Sequence, residues 1–193
     1  MGVSHPPVRM YYGYRSPYSR FGLHAVARAG LEPELIAFTG PPDGSSFSDP
    51  ASSPAKVAYM MEDIPRTASK MGLPIAMPDP FEVDFGPANR ATQAAKSDGK
   101  ALAFALAVSD ARWGDGADIS QTAVLRKAAE TAGWDADKAE AAAEDKDLSA
   151  AINDQRALIE EDQVFGVPFF VANGQKYWGQ DRVPMLLEDL GVG

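Results

Sequence analysis

From Val8 to Tyr14 the chain runs largely apolar and aromatic, and Ser16-Pro17 then stops it abruptly. The run has the β-branched and aromatic bias of a buried strand. Beyond the proline, Phe21, Ala25, Val26 and Ala29 recur at helical spacing. The segment therefore predicts a strand that turns sharply into a helix. Ser16 suits the N-cap, and Pro17 suits the first helical position, where a missing N–H costs nothing. A helix opened in this way presents free backbone N–H groups, its positive dipole end and the hydroxyls of Ser16 and Ser19. A thiolate or a carboxylate is the natural guest there. Ser-Pro is equally a plain structural cap, and the choice between the two rests on what the rest of the chain brings to this point.

The elements that follow alternate and then change character. Gly30 closes the first helix, and Glu34 to Thr39 forms a second short strand. A β-helix-β start of this length implies a parallel pair with a right-handed crossover. Gly40 to Pro54, rich in Pro, Gly and Ser, predicts a mobile loop. Its Ser45-Ser46 lacks the Gly-x-x-x-x-Gly-Lys context of a phosphate loop. Ala55 to Gly72 is helical, with Val57, Met60, Ile64, Ala68 and Met71 on one stripe, and Pro65 must kink it or open a second segment. Helices follow from Ala88 to Trp113, with a break around Lys96 to Lys100, then from Ile119 to Ala132, Asp135 to Glu144 and Leu148 to Asp162. The period then returns to that of a strand over Val164 to Val171, and Asn173-Gly174 is a strong hairpin turn with Gln175 to Trp178 as the returning partner. A final helix spans Val183 to Leu190, with Asp181 as its expected N-cap.

Composition excludes several functions. The net charge of −9 argues against a nucleic-acid-binding face. With no cysteine, disulfide scaffolds, thiol catalysis and Cys-based metal sites are ruled out. Two histidines, His5 and His24, are too few for the usual zinc constellations, and no metal site is expected. No apolar run approaches membrane-spanning length, and Met1 to Pro7 has no signal-peptide character, so the expectation is a cytoplasmic protein without membrane partners.

A β-α-β half and a β-β-α half make an α/β, thioredoxin-like fold, here interrupted by a large all-helical insertion. The expected division is a discontinuous domain over residues 8–53 and 164–193, with the insertion over 54–163. A proline opening the second-half strand is informative, because it cannot donate to a central ladder. Val167-Pro168 is expected to be a cis bond that frees the Val167 backbone for a ligand.

The pieces Arg15-Ser16-Pro17-Tyr18-Ser19, Lys56-x-x-Tyr59 with Asp63-x-x-Arg66, Trp113-x-x-Gly116-x-Asp118-Ile119, Phe165-Gly166-Val167-Pro168 and Trp178-Gly179-Gln180-Asp181-Arg182 occur in that order. Together they resemble the DsbA-type family that contains 2-hydroxychromene-2-carboxylate isomerases and kappa-class glutathione transferases. Where thioredoxins carry two cysteines, this chain has Ser16 and Ser19, so it cannot itself exchange disulfides.

The resemblance implies glutathione as cosubstrate. It implies that Ser16 is the catalytic residue and holds the glutathione thiolate, with Tyr18 beside it. It further implies that Lys56 pairs with a glutathione carboxylate, that Val167 beside Pro168 bonds the cysteinyl backbone, and that Gln180 and Asp181 grip the γ-glutamyl end. Members usually carry an asparagine in the loop before the lysine; Gly40 to Pro54 has none, and Ser46 or Ser48 would substitute. The implied activity is isomerisation of an aromatic or unsaturated oxo-acid by reversible thiolate addition, in a homodimer. A glutathione transferase or peroxidase is the alternative enzyme, and a peptide-clamping thioredoxin-like module the non-catalytic one. Tyr11, Tyr14 and Tyr18 either line an aromatic pocket or pack against the helical block, and the same choice holds for Trp113 and Trp178.

Overall fold

The computed structural model describes residues 7–45 and 49–192. Ser46 and Ser48, the expected stand-ins for a loop asparagine, lie outside the described residues. Strand β1 (Arg9–Tyr12) leads into helix α1 (Pro17–Arg28) and strand β2 (Glu34–Ala37). Helices α2 (Pro54–Met71), α3 (Gly86–Ala95), α4 (Ala101–Trp113), α5 (Thr122–Thr131), α6 (Ala136–Glu144), α7 (Asp147–Asp154) and α8 (Arg156–Asp162) follow. Strands β3 (Phe169–Ala172) and β4 (Gln175–Trp178) and helix α9 (Val183–Asp189) close the chain. The sheet order is β2-β1-β3-β4, with β1 parallel to β2 and antiparallel to β3. This is the thioredoxin-like arrangement expected from the two halves.

Alternation along the strands assigns the two faces. Met10, Tyr12, Leu35 and Phe170 point into the main core, built with α1 and the helical block. Tyr11, Ile36, Phe169 and Val171 point the other way and are covered by Ile159 and Val164. Tyr11 and Tyr14 are therefore core residues: Tyr11 donates to the Leu158 carbonyl at 3.1 Å and Tyr14 shares a hydrogen bond with Thr92. Trp113 is likewise buried, whereas Trp178 is exposed.

Several expectations are corrected. Helix α2 runs unbroken through Pro65, which sits on its exposed side, so no second segment opens. Of its stripe, Ile64 and Ala68 are buried with Phe21, while Val57 is exposed. The stretch from Leu148 to Asp162 is two helices, parted at Gln155. Strand β3 starts only at Phe169, because Gln163 ends α8 in the left-handed region and Pro168 has no N–H for the ladder. Asp181 does not cap α9: a 3₁₀ turn occupies Gln180–Arg182, and Arg182 holds the cap position without a side-chain bond.

Candidate active site

Ser16 occupies the N-cap of α1 in extended conformation (φ −98°, ψ 118°). Its Oγ accepts the Ser19 backbone N–H at 3.2 Å, and its own N–H donates to the Gly13 carbonyl at 3.0 Å. The Ser16 hydroxyl proton and the Tyr18 backbone N–H are thus left at the helix start, since Pro17 has no N–H to offer. Ser19 does not present its hydroxyl there. It is buried, and its Oγ accepts the Gly13 N–H at 3.1 Å, which locks the strand-to-helix turn. Of the two hydroxyls expected to face a guest, that of Ser19 is therefore turned inward.

Val167-Pro168 is a cis peptide, as expected. A Cβ built on Gly13 would lie 3.5 Å from Val167 Cγ2, and one on Gly22 would lie 3.1 Å from Pro168 Cβ. The proline peptide therefore rests against the first turns of α1. Among the described residues the Val167 N–H and C=O have no backbone partner, and Val167 is only half-buried. Both backbone polar groups of Val167 are thus unpaired next to Gly13, whose carbonyl accepts the Ser16 N–H.

The turn after β4 joins the same place. Gly179 donates its N–H to the Pro168 carbonyl at 2.9 Å, and the Gln180–Arg182 turn packs against α1. Gly179 has φ +104°, and a Cβ there would fall 2.5 Å from Asp181 Oδ1, so this turn needs glycine. Asp181 is exposed and pairs at the surface with Arg182 at 3.0 Å.

Helix α2 supplies the third wall. The Tyr18 hydroxyl donates to Asp63 Oδ2 at 2.9 Å, and burial together with that bond raises the Tyr18 phenol above its ordinary pKa. The Asp63 carboxylate also raises the Tyr59 phenol above its ordinary pKa, with a smaller contribution from the charge of Asp181. Lys56, Tyr59 and Asp63 share one helical face by their spacing of three and four. Lys56 is exposed in the first turn of α2, behind the Ser53 cap, with no ion pair among the described residues. The roles of Tyr59 and Asp63 were not assigned from the sequence, although their spacing from Lys56 was the available signal.

On the other flank, Trp113 donates its indole N–H to the Tyr14 carbonyl at 2.9 Å. Ala76 donates to the Trp113 carbonyl at 2.8 Å and Asp79 to the Gly116 carbonyl at 3.2 Å, which fixes the extended segment leading to Phe81. Arg15, next to Ser16, pairs with Asp49 at 3.1 Å and Glu82 at 2.7 Å. A separate open groove of about 430 Å³ lies near Phe165, Lys176 and Trp178, and none of Ser16, Val167 or Asp181 lines it.

The sequence profile of the DSBA-like thioredoxin domain matches residues 7–191. The chain belongs to the DSBA-like thioredoxin family. Within that family it is 30% identical over 131 residues to a 2-hydroxychromene-2-carboxylate isomerase of Sphingobium xenophagum, covering 68% of this chain and 66% of that protein. To the Pseudomonas putida protein of the same name it is 26% identical over 136 residues, covering 70% of this chain and 66% of that one. The chain thus matches just under two thirds of the length of these relatives. A solved 2-hydroxychromene-2-carboxylate isomerase superposes with a TM-score of 0.79 at 22% identity, covering 95% of this chain and 94% of that one.

Proposed function

We propose that this protein is a glutathione-dependent isomerase of small aromatic or unsaturated oxo-acids, of the 2-hydroxychromene-2-carboxylate isomerase type. The observation that carries the reading is the meeting of the Ser16 helix start with the unpaired Val167 backbone, next to the turn that bears Asp181. Those features fit glutathione in chemistry: it carries a thiol, a peptide backbone and one ammonium group, besides two carboxylates. The activity for which these relatives are named points the same way.

Glutathione supplies a sulfur nucleophile that adds reversibly to a conjugated double bond and allows it to rotate. The chain's own residues do the rest. The Ser16 hydroxyl and the Tyr18 N–H donate to the sulfur, and with the α1 dipole they favour its ionised form, lowering a thiol pKa from about 8.5. The Val167 N–H and C=O pair with the cysteinyl backbone as an added strand would. Lys56 offers a cation for a carboxylate, and Asp181 an anion for the ammonium, with Gln180 at the same turn. Two such subunits form the expected cytoplasmic homodimer.

The test is conversion of 2-hydroxychromene-2-carboxylate with and without glutathione. Turnover should require glutathione and fall about 10²-fold in Ser16→Ala, the usual cost of a lost donor to a reacting anion. Turnover indifferent to both changes overturns the reading.

A further inference from the structure

The guanidinium of Arg112, at the end of α4, is fully buried. Its Nη2 donates to the Phe81 carbonyl, but Nε and Nη1 have no hydrogen-bond partner among the described residues. Three rings surround it: Phe85 at 4.9 Å, Trp113 at 5.5 Å and Phe81 at 5.8 Å. Their faces stabilise the charge without supplying acceptor lone pairs to the N–H groups. The acids nearest in effect, Glu82 and Asp118, are engaged elsewhere, with Arg15 and with Ser120 and Gln121. Buried donors without acceptors are costly, and a buried charge normally finds a counter-charge. Among the described residues, then, none satisfies two of the donors of this buried cation.

This cation is tied to the candidate site. Trp113, the next residue, is bonded to Tyr14, two residues before Ser16. Two guanidinium groups approach the Phe81 ring, that of Arg112 and that of Arg15 at 5.4 Å, and Arg15 adjoins Ser16. Phe81 is itself exposed, so it covers Arg112 from the solvent side.

We infer that Arg112 is the receptor for the carboxylate of the acceptor acid, with Phe81, Phe85 and Trp113 forming the aromatic walls against which its planar body lies. This inference rests on the isomerase reading and names the acid-binding part of that site. A carboxylate entering beside Phe81 meets the free N–H groups of Nε and Nη1, and charge-assisted bonds of this kind are about twice as strong as neutral ones. The Phe81 ring must shift for the acid to enter, which makes Phe81 a determinant of access.

The experiment compares trans-2-hydroxycinnamate with its methyl ester by calorimetry, on the full chain without glutathione. The wild-type protein should bind the acid at least tenfold more tightly than the ester. Arg112→Met, close in volume and apolar, should lose that preference and bind acid and ester alike. Arg112→Lys, which keeps the charge without the fork, should retain part of it. Glutathione binding, measured separately, should be unchanged in both variants. Equal affinity of the wild type for acid and ester overturns the proposal without any variant, since Arg112 would then hold a buried water only. So does an undiminished preference in Arg112→Met. Absence of glutathione binding to the wild type, by contrast, sinks the isomerase reading and leaves the acid-versus-ester comparison standing on its own.

Discussion

The Gly179 N–H and the Pro168 carbonyl, 2.9 Å apart, are the bond through which the β4 turn is fastened to the proline loop. It brings Asp181 to the same end of the sheet as Ser16, although 165 positions' worth of chain separates the helix start from that turn in sequence. Neither Asp181 nor Val167 would belong to a common site if this turn were displaced.

Replacing Gly179 therefore tests the turn directly. Gly179→Ala must hold φ near +104° and clear the Asp181 carboxylate, which its Cβ would meet at 2.5 Å. The backbone term alone costs about 1–3 kcal/mol. A lower urea midpoint together with weaker glutathione binding by calorimetry is expected. Unchanged affinity would show that Asp181 takes no part.

Ser16 has two separable duties. Ser16→Ala removes the cap that holds the Ser19 N–H and should cost about 1 kcal/mol of stability. Ser16→Gly should cost only a few tenths. Both remove the hydroxyl, so both should raise the pKa of the bound thiol equally, read from thiolate absorbance near 240 nm. Different thiol pKa values in the two variants would mean that the cap geometry, rather than the hydroxyl, stabilises the sulfur.

Tyr18 gives the opposite pattern. Its hydroxyl is already donated to Asp63, and burial with that bond keeps the phenol protonated well above neutral pH. Tyr18→Phe should lower stability by about 1–3 kcal/mol, the range for a bond to a charged group. The thiol pKa should not move, because the Tyr18 N–H survives the change. A rise in thiol pKa would place the phenol in the site.

Acid sensitivity should centre on the junction of α1 and α4. Asp110 Oδ1 lies 2.7 Å from both Arg20 Nε and His24 Nε2, and Arg20 also donates to the Pro74 carbonyl at 2.6 Å. Burial would push the Asp110 carboxyl up, but the bonds from His24 and Arg20 outweigh it and hold it below its ordinary value. A depressed carboxyl contributes stability above its unfolded pKa of about 4, and the contribution is lost as pH falls through the lower folded value. Urea midpoints between pH 6 and pH 2 should drop less steeply in Asp110→Asn than in the wild type. Parallel curves would assign the acid transition to other carboxylates.

Local chemistry made much of this protein legible from its residues. Ser16-Pro17 dictated a capped helix, Asn173-Gly174 dictated a hairpin with positive φ at both positions, and Gly30, Gly72 and Gly133 ended helices where glycine alone is comfortable. Errors fell where the folded backbone geometry, rather than the residue type, chose a side chain's partner. Asp181 has the look of an N-cap, yet it sits within a 3₁₀ turn and its carboxylate pairs with Arg182. Ser19 reads as a second exposed hydroxyl, yet Gly13 claims it.

By itself, the sequence determined the order of elements, the two halves of the sheet and the absence of any thiol, because periodicity, caps and turn residues act within a few positions of themselves. What only the tertiary structure decided is which polar groups remain unsatisfied once the chain has packed. Among the described residues, the Val167 backbone and two Arg112 donors stay unpaired because the segments packed on them from elsewhere in the chain, Gly13 on Val167 and the Phe81 and Phe85 rings on Arg112, offer them no hydrogen-bond partner. Satisfaction of a hydrogen bond depends on three-dimensional neighbours, and no local pattern encodes it.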